Sequence, residues 1–365
     1  MTTDDEAFLR TQLITCIGNK RALLPFIDAG IAQATAALGR RRIAFLDLFS
    51  GSGVVARLAR RHAHTLHCND LELYSAVGNA CYQRNASEVD PGALADALAR
   101  VRRRVEDERA AGFLCELYAP RDDQDIQPGE RAFYTRRNAM FLDTFCQVLA
   151  DTDQALRPLL LGPVLAQASM HANTSGVFKG FHKNRDGVGQ FGGSARNALS
   201  RILRPIEVEA PVFSRFECRV HLHRSDANAL VHELEPVDVA YFDPPYNEHP
   251  YGSNYFMLNL LCDYRRPAQV SRVSGIPTGW NRSAYNRARQ AEAALFDAVA
   301  AVKAAFVLIS YNSEGFISHP RFVTRLEALG ELSVMDTRYN TFRGSRNLAG
   351  RERHVTEFLY LLDKR

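Results

Sequence analysis

Arg42-Ile43-Ala44-Phe45-Leu46-Asp47-Leu48-Phe49, running straight into Ser50-Gly51-Ser52-Gly53, is the stretch that decides the fold class. The apolar run reads as a short buried strand, the Ser-Gly pairs as the loop that ends it, and the residues after Gly53 as a helix. Residues 65–68 form a second short strand closed by Asn69-Asp70, and residues 71–83 read as a second helix. A strand-helix-strand-helix series predicts an α/β fold with a parallel sheet, and such sheets bind ligands at the carboxyl ends of their strands. Glycines at 51 and 53 let the backbone approach a ligand closely, and Asp47 can take up a cationic or hydroxyl-bearing part of it. Asp70, ending the second strand, is placed to hydrogen-bond ribose hydroxyls. A nicotinamide loop more usually shows GxGxxG, and Ala56 at the third position leaves that spacing possible, so the loop alone does not choose the nucleotide.

Working outward, residues 90–153 are mostly helical in pattern and rich in charge, notably Arg100-Val101-Arg102-Arg103-Arg104, which reads as a solvated helix face. Residues 171–204 differ in composition, being rich in Gly, Asn and aromatics, with Lys179, Lys183, Arg185, Arg196, Arg201 and Arg204 against a single acid, Asp186. Strands then return at residues 218–223, 237–242, 305–310 and 355–362. The chain leaves the sheet, builds something else and comes back, which predicts one domain from residues 1–88 and 216–365 and an inserted one from 89–215.

A chain of 365 residues with 46% hydrophobic content can bury a full core, and a net charge of +4 permits a nucleic-acid partner without demanding one. Seven scattered cysteines without a CxxC pair read as reduced thiols in a cytoplasmic protein. The opening residues are polar and acidic, and no apolar run approaches the length of a bilayer span, so neither export nor a membrane partner is expected. His62, His64 and His67, with His221 and His223, lack carboxylate or Cys partners at suitable spacing, and no metal is expected.

The strongest chemical signal is Val239-Ala240-Tyr241-Phe242-Asp243-Pro244-Pro245-Tyr246-Asn247, an apolar strand running into an acid, two prolines and an aromatic. An exocyclic amine on a nucleobase is a poor nucleophile because its lone pair is delocalised into the ring. Acceptors placed on its hydrogens draw that pair out toward an electrophile. Asp243 offers a carboxylate, and the Pro244 carbonyl offers a second acceptor, held rigidly because Pro244 and Pro245 fix their own φ angles and restrict the residues before them. Tyr246 supplies a flat ring on which an everted base can stack. Preorganised acceptors and alignment are the main tools for such a transfer.

Asp243-Pro244-Pro245-Tyr246 resembles the catalytic motif of amino-methyltransferases, and nearly the whole chain resembles the Dam-like group of DNA adenine-N6 methyltransferases. Asp47-Leu48-Phe49-Ser50-Gly51-Ser52-Gly53 resembles the family's cofactor motif, in which a strand-end acid precedes an aromatic and glycines. The resemblance implies a Rossmann-like class I methyltransferase sheet of mixed direction, with an inserted, mainly helical target-recognition domain. It implies S-adenosylmethionine as cofactor, double-stranded DNA as partner, a monomer acting alone on the duplex, and a possible cognate restriction endonuclease.

Residue by residue, Gly18 and Lys20 in Cys16-Ile17-Gly18-Asn19-Lys20 are similar to the segment that closes over the methionine end, where Lys20 would pair with the ligand carboxylate. Asp226 and Ala227 fall where an acid accepts a hydrogen bond from the cofactor's adenine amine, and Asp226 also reads as a helix N-cap. Phe49 and Asp70 complete the cofactor set. Residues 176–193 are similar to the segment that lies along DNA, where Lys179, Lys183 and Arg185 would meet phosphates. A second basic loop between the last two strands interleaves Arg338, Arg343, Arg346, Asn347, Arg351 and Arg353 with Tyr339 and Phe342, a mixture suited to a nucleic-acid surface. Residues 265–286 read as a loop beside the catalytic motif.

Cytosine N4 faces the same lone-pair problem, although that chemistry more often carries Ser at position 243, and RNA or protein-amide methylation usually carries Asn. A nicotinamide oxidoreductase would need a hydride-transfer acid or base that the loop lacks. A DNA-binding module with a vestigial site is at odds with an intact Asp243 to Tyr246 beside Gly51 and Gly53.

Overall fold

The computed structural model describes residues 6–196, 198–340 and 354–365. Seven strands form one sheet in the order β3-β2-β1-β4-β5-β7-β6. They are β1 (Ile43–Asp47), β2 (Ala63–Asn69), β3 (Arg219–His223), β4 (Val237–Phe242), β5 (Ala304–Asn312), β6 (Glu331–Asn340) and β7 (His354–Asp363). β1 pairs in parallel with β2 and β4, β2 with β3, and β4 with β5, whereas β7 runs antiparallel to β5 and β6. This is the mixed sheet of a class I methyltransferase.

Alternation along the central strands explains why helices cover both faces. Phe45, Phe306 and Leu308 pack into one layer with the helices Leu24–Ala37 and Val54–Ala59. Their chain neighbours Leu46, Val307 and Ile309 point the other way, into a layer with Ala227–Glu233, Ala288–Ala301 and His319–Glu327. β4 is buried along its whole length, as a central parallel strand must be.

The residues between β2 and β3 build a third apolar mass. The helices Pro91–Glu108, Phe113–Tyr118, Arg136–Ala150 and Arg157–Met170 bury Leu98, Val101, Leu142 and Leu161 together with Tyr82 and Phe256, so this mass shares its core with the helices Leu73–Tyr82 and Phe256–Asp263. Local chemistry sets the helix starts. Asp90 caps the first helix by accepting from the Gly92 and Ala93 amides, and the buried Asp143 accepts from Gly112, Leu114 and Cys115. The arginine run lies on an exposed helix face, where Arg104 pairs with Glu108 and Asp151 and Arg102 donates to the Val208 carbonyl.

The structure departs from the sequence reading at β6, which was not expected. Its residues alternate without a run of buried apolar side chains, because only β7 flanks it. Arg338 and Tyr339 therefore stand in register opposite Thr356 and Val355 in a strand pair rather than in a loop. Arg343, Arg346 and Asn347, with Phe342, Arg351 and Arg353, lie outside the described residues. Among the described residues, no helix is long and apolar enough to cross a membrane and no cluster of His, Cys, Asp or Glu converges as a metal site. His62 is bound to Asp28, and His67 stacks on His221 and His223.

Candidate active site

Because β1 and β4 are parallel neighbours with Asp47 opposite Tyr241, their carboxyl ends open on the same edge of the sheet. The loop after β1 and the Asp-Pro-Pro-Tyr segment after β4 therefore face one cleft, which encloses about 910 Å³ of empty space, the solvent at its mouth included. The loop turns tightly at two left-handed glycines, Gly51 at φ 52° and Gly53 at φ 74°. A Cβ at Gly53 would also stand 2.7 Å from Asn79 Oδ1, so both conformation and space require glycine there. The Gly51 amide donates to Asp70 Oδ2 at 2.8 Å, which ties the turn to the end of β2.

Gly18, Lys20, Asp47, Phe49, Gly51, Asp70, Asp226, Ala227, Asp243 and Pro245 all line this cleft, whereas Gly53, Pro244 and Tyr246 adjoin lining residues without lining it themselves. Asp47 is 1% exposed and, among the described residues, neither carboxylate oxygen accepts a well-formed hydrogen bond, although the Phe49 and Ala56 amides face it. Burial, reinforced by Asp243 and Asp70, holds its pKa well above the usual carboxylate range. A buried, unsatisfied acceptor of this kind calls for a donor-rich or cationic ligand group. Asp70 accepts from the Gly51 and Glu72 amides, one on each oxygen, with lone pairs remaining, and burial raises its pKa. Asp226 Oδ1 caps the helix Ala227–Glu233 by accepting from Asn228 and Ala229, so the capping and lining roles coexist.

Lys20 is 2% exposed, and its ammonium lies 2.8 Å from Asp243 Oδ1 and 3.2 Å from Glu357 Oε1. The structure thus gives this ammonium two protein carboxylates, whereas the sequence reading pairs it with a ligand. Burial works against the charged amine, but Asp243 and Glu357 more than offset it and hold its pKa well above the ordinary lysine range. Burial pushes Asp243 up to about 6, with Lys20 pulling down and Glu357 pushing up. The segment carrying Lys20 is fixed from across the cleft. Tyr251 donates to the Ile17 carbonyl, the Ile17 amide donates to the Tyr255 hydroxyl, and a Cβ at Gly18, whose φ is 77°, would lie 3.1 Å from the Tyr246 hydroxyl. Tyr246 packs edge-on to Tyr311, with ring centroids 5.7 Å apart.

The far end of residues 265–286 reaches the Asp-Pro-Pro-Tyr segment, whereas the Ser271, Arg272 and Gly275 carbonyls accept from Arg131 and Tyr118, and that far end contributes groups that sequence reasoning did not single out. Asn281, Ser283, Tyr285 and Asn286 line the cleft. Asn286 donates to the Asn247 carbonyl at 2.8 Å, and Tyr285 packs on Phe49 at 4.9 Å while donating to Asn228 Oδ1. Asn281 donates to the Leu71 carbonyl and to Glu72, whose pKa burial raises to about 7. Glu357 was missed too: it follows the basic stretch on a strand whose other inward residues are apolar, and no local motif marks it.

Lys179, Lys183 and Arg185 cluster on a separate loop. Asn173 anchors that loop through Ala132, Gln190 and Gly192, and Phe178, 2% exposed, plugs it into the aromatic core beside Phe133 and Phe256. Lys183 bridges to Gly189 across a tight turn that Asn184 holds by accepting from Asp186 and Val188, which puts Arg185 exposed near its tip. Lys179 is exposed and its Nζ lies 3.4 Å from His249 Nδ1, just beyond the Asp-Pro-Pro-Tyr segment.

The model of the D12 class N6 adenine-specific DNA methyltransferases matches residues 17–273. Type II methyltransferase M.NlaIII of Neisseria lactamica is 24% identical over 95% of this chain and 98% of its own length. Type II methyltransferase M.CviAII of Paramecium bursaria Chlorella virus 1 is 27% identical over 95% of this chain and 97% of its own. Modification methylase StsI of Streptococcus sanguinis is 24% identical over 96% of this chain, which spans 52% of that protein. With a match over most of its length and a paired glycine turn and Asp-Pro-Pro-Tyr segment on one sheet edge, the chain belongs to the D12 class N6 adenine-specific DNA methyltransferases, enzymes that methylate adenine in DNA.

Proposed function

We propose that this enzyme takes its methyl group from S-adenosylmethionine and delivers it to an adenine everted from double-stranded DNA, with Asp243 and the Pro244 carbonyl as the acceptors for the N6 amine. The observation that carries this reading is the shared cleft, which Asp47, buried and unsatisfied among the described residues, and Asp243 both line. When bound, S-adenosylmethionine supplies an electrophilic methyl carbon on a sulfonium. Gly51 and Gly53 keep the loop close to it, Asp47 receives its polar donors, Asp70 its ribose hydroxyls, and Asp226 its adenine amine, with Phe49 and Tyr285 as apolar walls. Asp226 keeps capacity for this while capping its helix, because a carboxylate has about four acceptor sites.

On the DNA side, Asp243 draws the amine lone pair out of the ring by accepting its hydrogen, and Tyr246 borders the base. A carboxylate with pKa near 6 is mostly ionised at pH 7–8 and can also receive the proton that the methylated amine must lose. Residues 89–215 act as the target-recognition domain, in which Lys179, Lys183 and Arg185 hold phosphates; Arg343, Arg346 and Asn347 join them on this reading. The relatives are named type II methyltransferases, which supports pairing with a restriction endonuclease of the same specificity. The enzyme acts as a monomer in the cytoplasm.

The test is transfer of tritiated methyl from S-adenosylmethionine to enzymatically amplified, unmethylated duplex DNA, followed by nucleoside separation. Label appears as N6-methyladenine, and Asp243→Ala abolishes it while donor affinity changes less than about threefold. Label in N4-methylcytosine, or transfer surviving Asp243→Ala, refutes the assignment.

A further inference from the structure

Glu357 lies on β7 with no exposed surface, opposite Asn312 of β5. Side chains alternate along a strand, so it continues the row of Leu361 and Leu359, both buried in the layer beneath the helix Leu24–Ala37. A leucine or methionine would extend that row at no electrostatic cost, whereas a buried carboxylate persists only where it is paired. The row turns charged where β7 reaches the edge of the sheet that carries Asp243. There Glu357 Oε1 accepts from Ser310 Oγ and lies 3.2 Å from Lys20 Nζ, and Oε2 has no hydrogen-bond partner among the described residues.

We propose that Glu357 is a positioning residue for methyl transfer: with Ser310 it fixes the Lys20 ammonium against Asp243 and keeps that ammonium from neutralising the Asp243 carboxylate alone. The inference rests on the reading of Asp243 as the acceptor of the N6 amine. One cation shared between two carboxylates leaves a net negative charge on the group, so Asp243 keeps its strength as an acceptor while its orientation is held. With Gln at 357 the ammonium belongs to Asp243 alone and the acceptor weakens. The charges around Asp243 support a direction for the pH effect. Lys20 faces it from the N-terminal segment, Asp47 from β1 and Glu357 from β7; Cys16, Tyr241 and Tyr251 also face it, and burial keeps them neutral. Glu357 pushes the Asp243 pKa up, so its removal moves that pKa down.

Single-turnover methyl transfer to amplified, unmethylated duplex DNA, followed from pH 5 to 9, tests this. In Glu357→Gln the plateau rate falls ~10-fold and the acid midpoint moves down by about one pH unit, with S-adenosylmethionine affinity within about twofold. Ser310→Ala keeps the charge but loses the hydrogen bond, so the rate falls ~3-fold with the midpoint in place, and Ser310→Thr restores it. A wild-type rate and midpoint in Glu357→Gln overturn the inference, and so does a rate loss that tracks unfolded protein with the midpoint unmoved. If Glu357→Gln does not fold, the Ser310 pair decides: no loss in Ser310→Ala, or no rescue by Thr, overturns it. An inactive Asp243→Ala beside an unshifted Glu357→Gln defeats this inference alone, whereas an active Asp243→Ala defeats the reading beneath it.

Discussion

Replacing Lys20 by Met keeps most of the side-chain volume and removes the charge that separates Asp243 from Glu357. The ammonium stands 2.8 Å from one carboxylate and 3.2 Å from the other. At an effective dielectric near 20 each attraction is gross about 5–6 kcal/mol. Desolvation of three buried groups offsets much of this, and loss of one partner from a buried ion pair typically costs about 3–5 kcal/mol. The protein escapes part of that cost by protonating a carboxyl. Asp243, already near 6 with the lysine present, then rises by about 1–3 pH units, because the largest influence pulling it down is gone.

The direction is fixed by the sign of the charge. If Asp243 must be ionised to accept from the amine, a shift of about two units reduces its ionised fraction at pH 7 from roughly nine-tenths to one-tenth, a rate loss of about tenfold that is recovered by pH 9–10. Stability follows the same linkage. A carboxyl whose folded pKa lies above its unfolded value stabilises least at high pH; because Asp243 already lies near 6 in the wild type, the extra destabilisation of Lys20→Met grows as pH rises through about 6 and levels off beyond about 8. The assay is single-turnover methylation across pH 5.5–10 with urea unfolding at the same pH values. A uniform rate loss with the acid midpoint still near 6 refutes the reasoning. If that loss is accompanied by a raised KM for the methyl donor, Lys20 works on the ligand carboxylate instead.

Two further outcomes test other parts of the site. Gly53→Ala forces a side chain into a left-handed turn with its Cβ 2.7 Å from Asn79 Oδ1, and it lowers stability by on the order of 1–3 kcal/mol in urea unfolding and weakens donor binding in calorimetry; unchanged donor affinity would detach the glycine turn from cofactor binding. Lys179→Ala with Lys183→Ala weakens duplex binding and lowers the slope of log affinity against log salt by about 1–2, read by fluorescence anisotropy; an unaltered slope removes this loop from the phosphate interface.

How much of this was legible from residues alone depends on the range over which each feature is determined. The glycine loop and the Asp-Pro-Pro-Tyr segment were readable because strand, turn and acid are consecutive, and the apolar runs of β1 and β4 reveal central strands buried on both faces. β6 was missed because an edge strand flanked on one side only has half its residues in solvent and no dense apolar run. The role of Lys20 was half visible. Its segment stood out, but its partners come from residues 243 and 357, and only the antiparallel insertion of β7 beside β5 brings the last of these to the lysine. Glu357 on its own is a charged residue just before the apolar run at residues 358–362 of its strand, a pattern that in an isolated sequence reads as a solvent-facing position. Its meaning depends on the sheet order, since with β7 at the outer edge in place of β6 the same glutamate would stand a strand away from Asp243 and Lys20 would have a single carboxylate to serve.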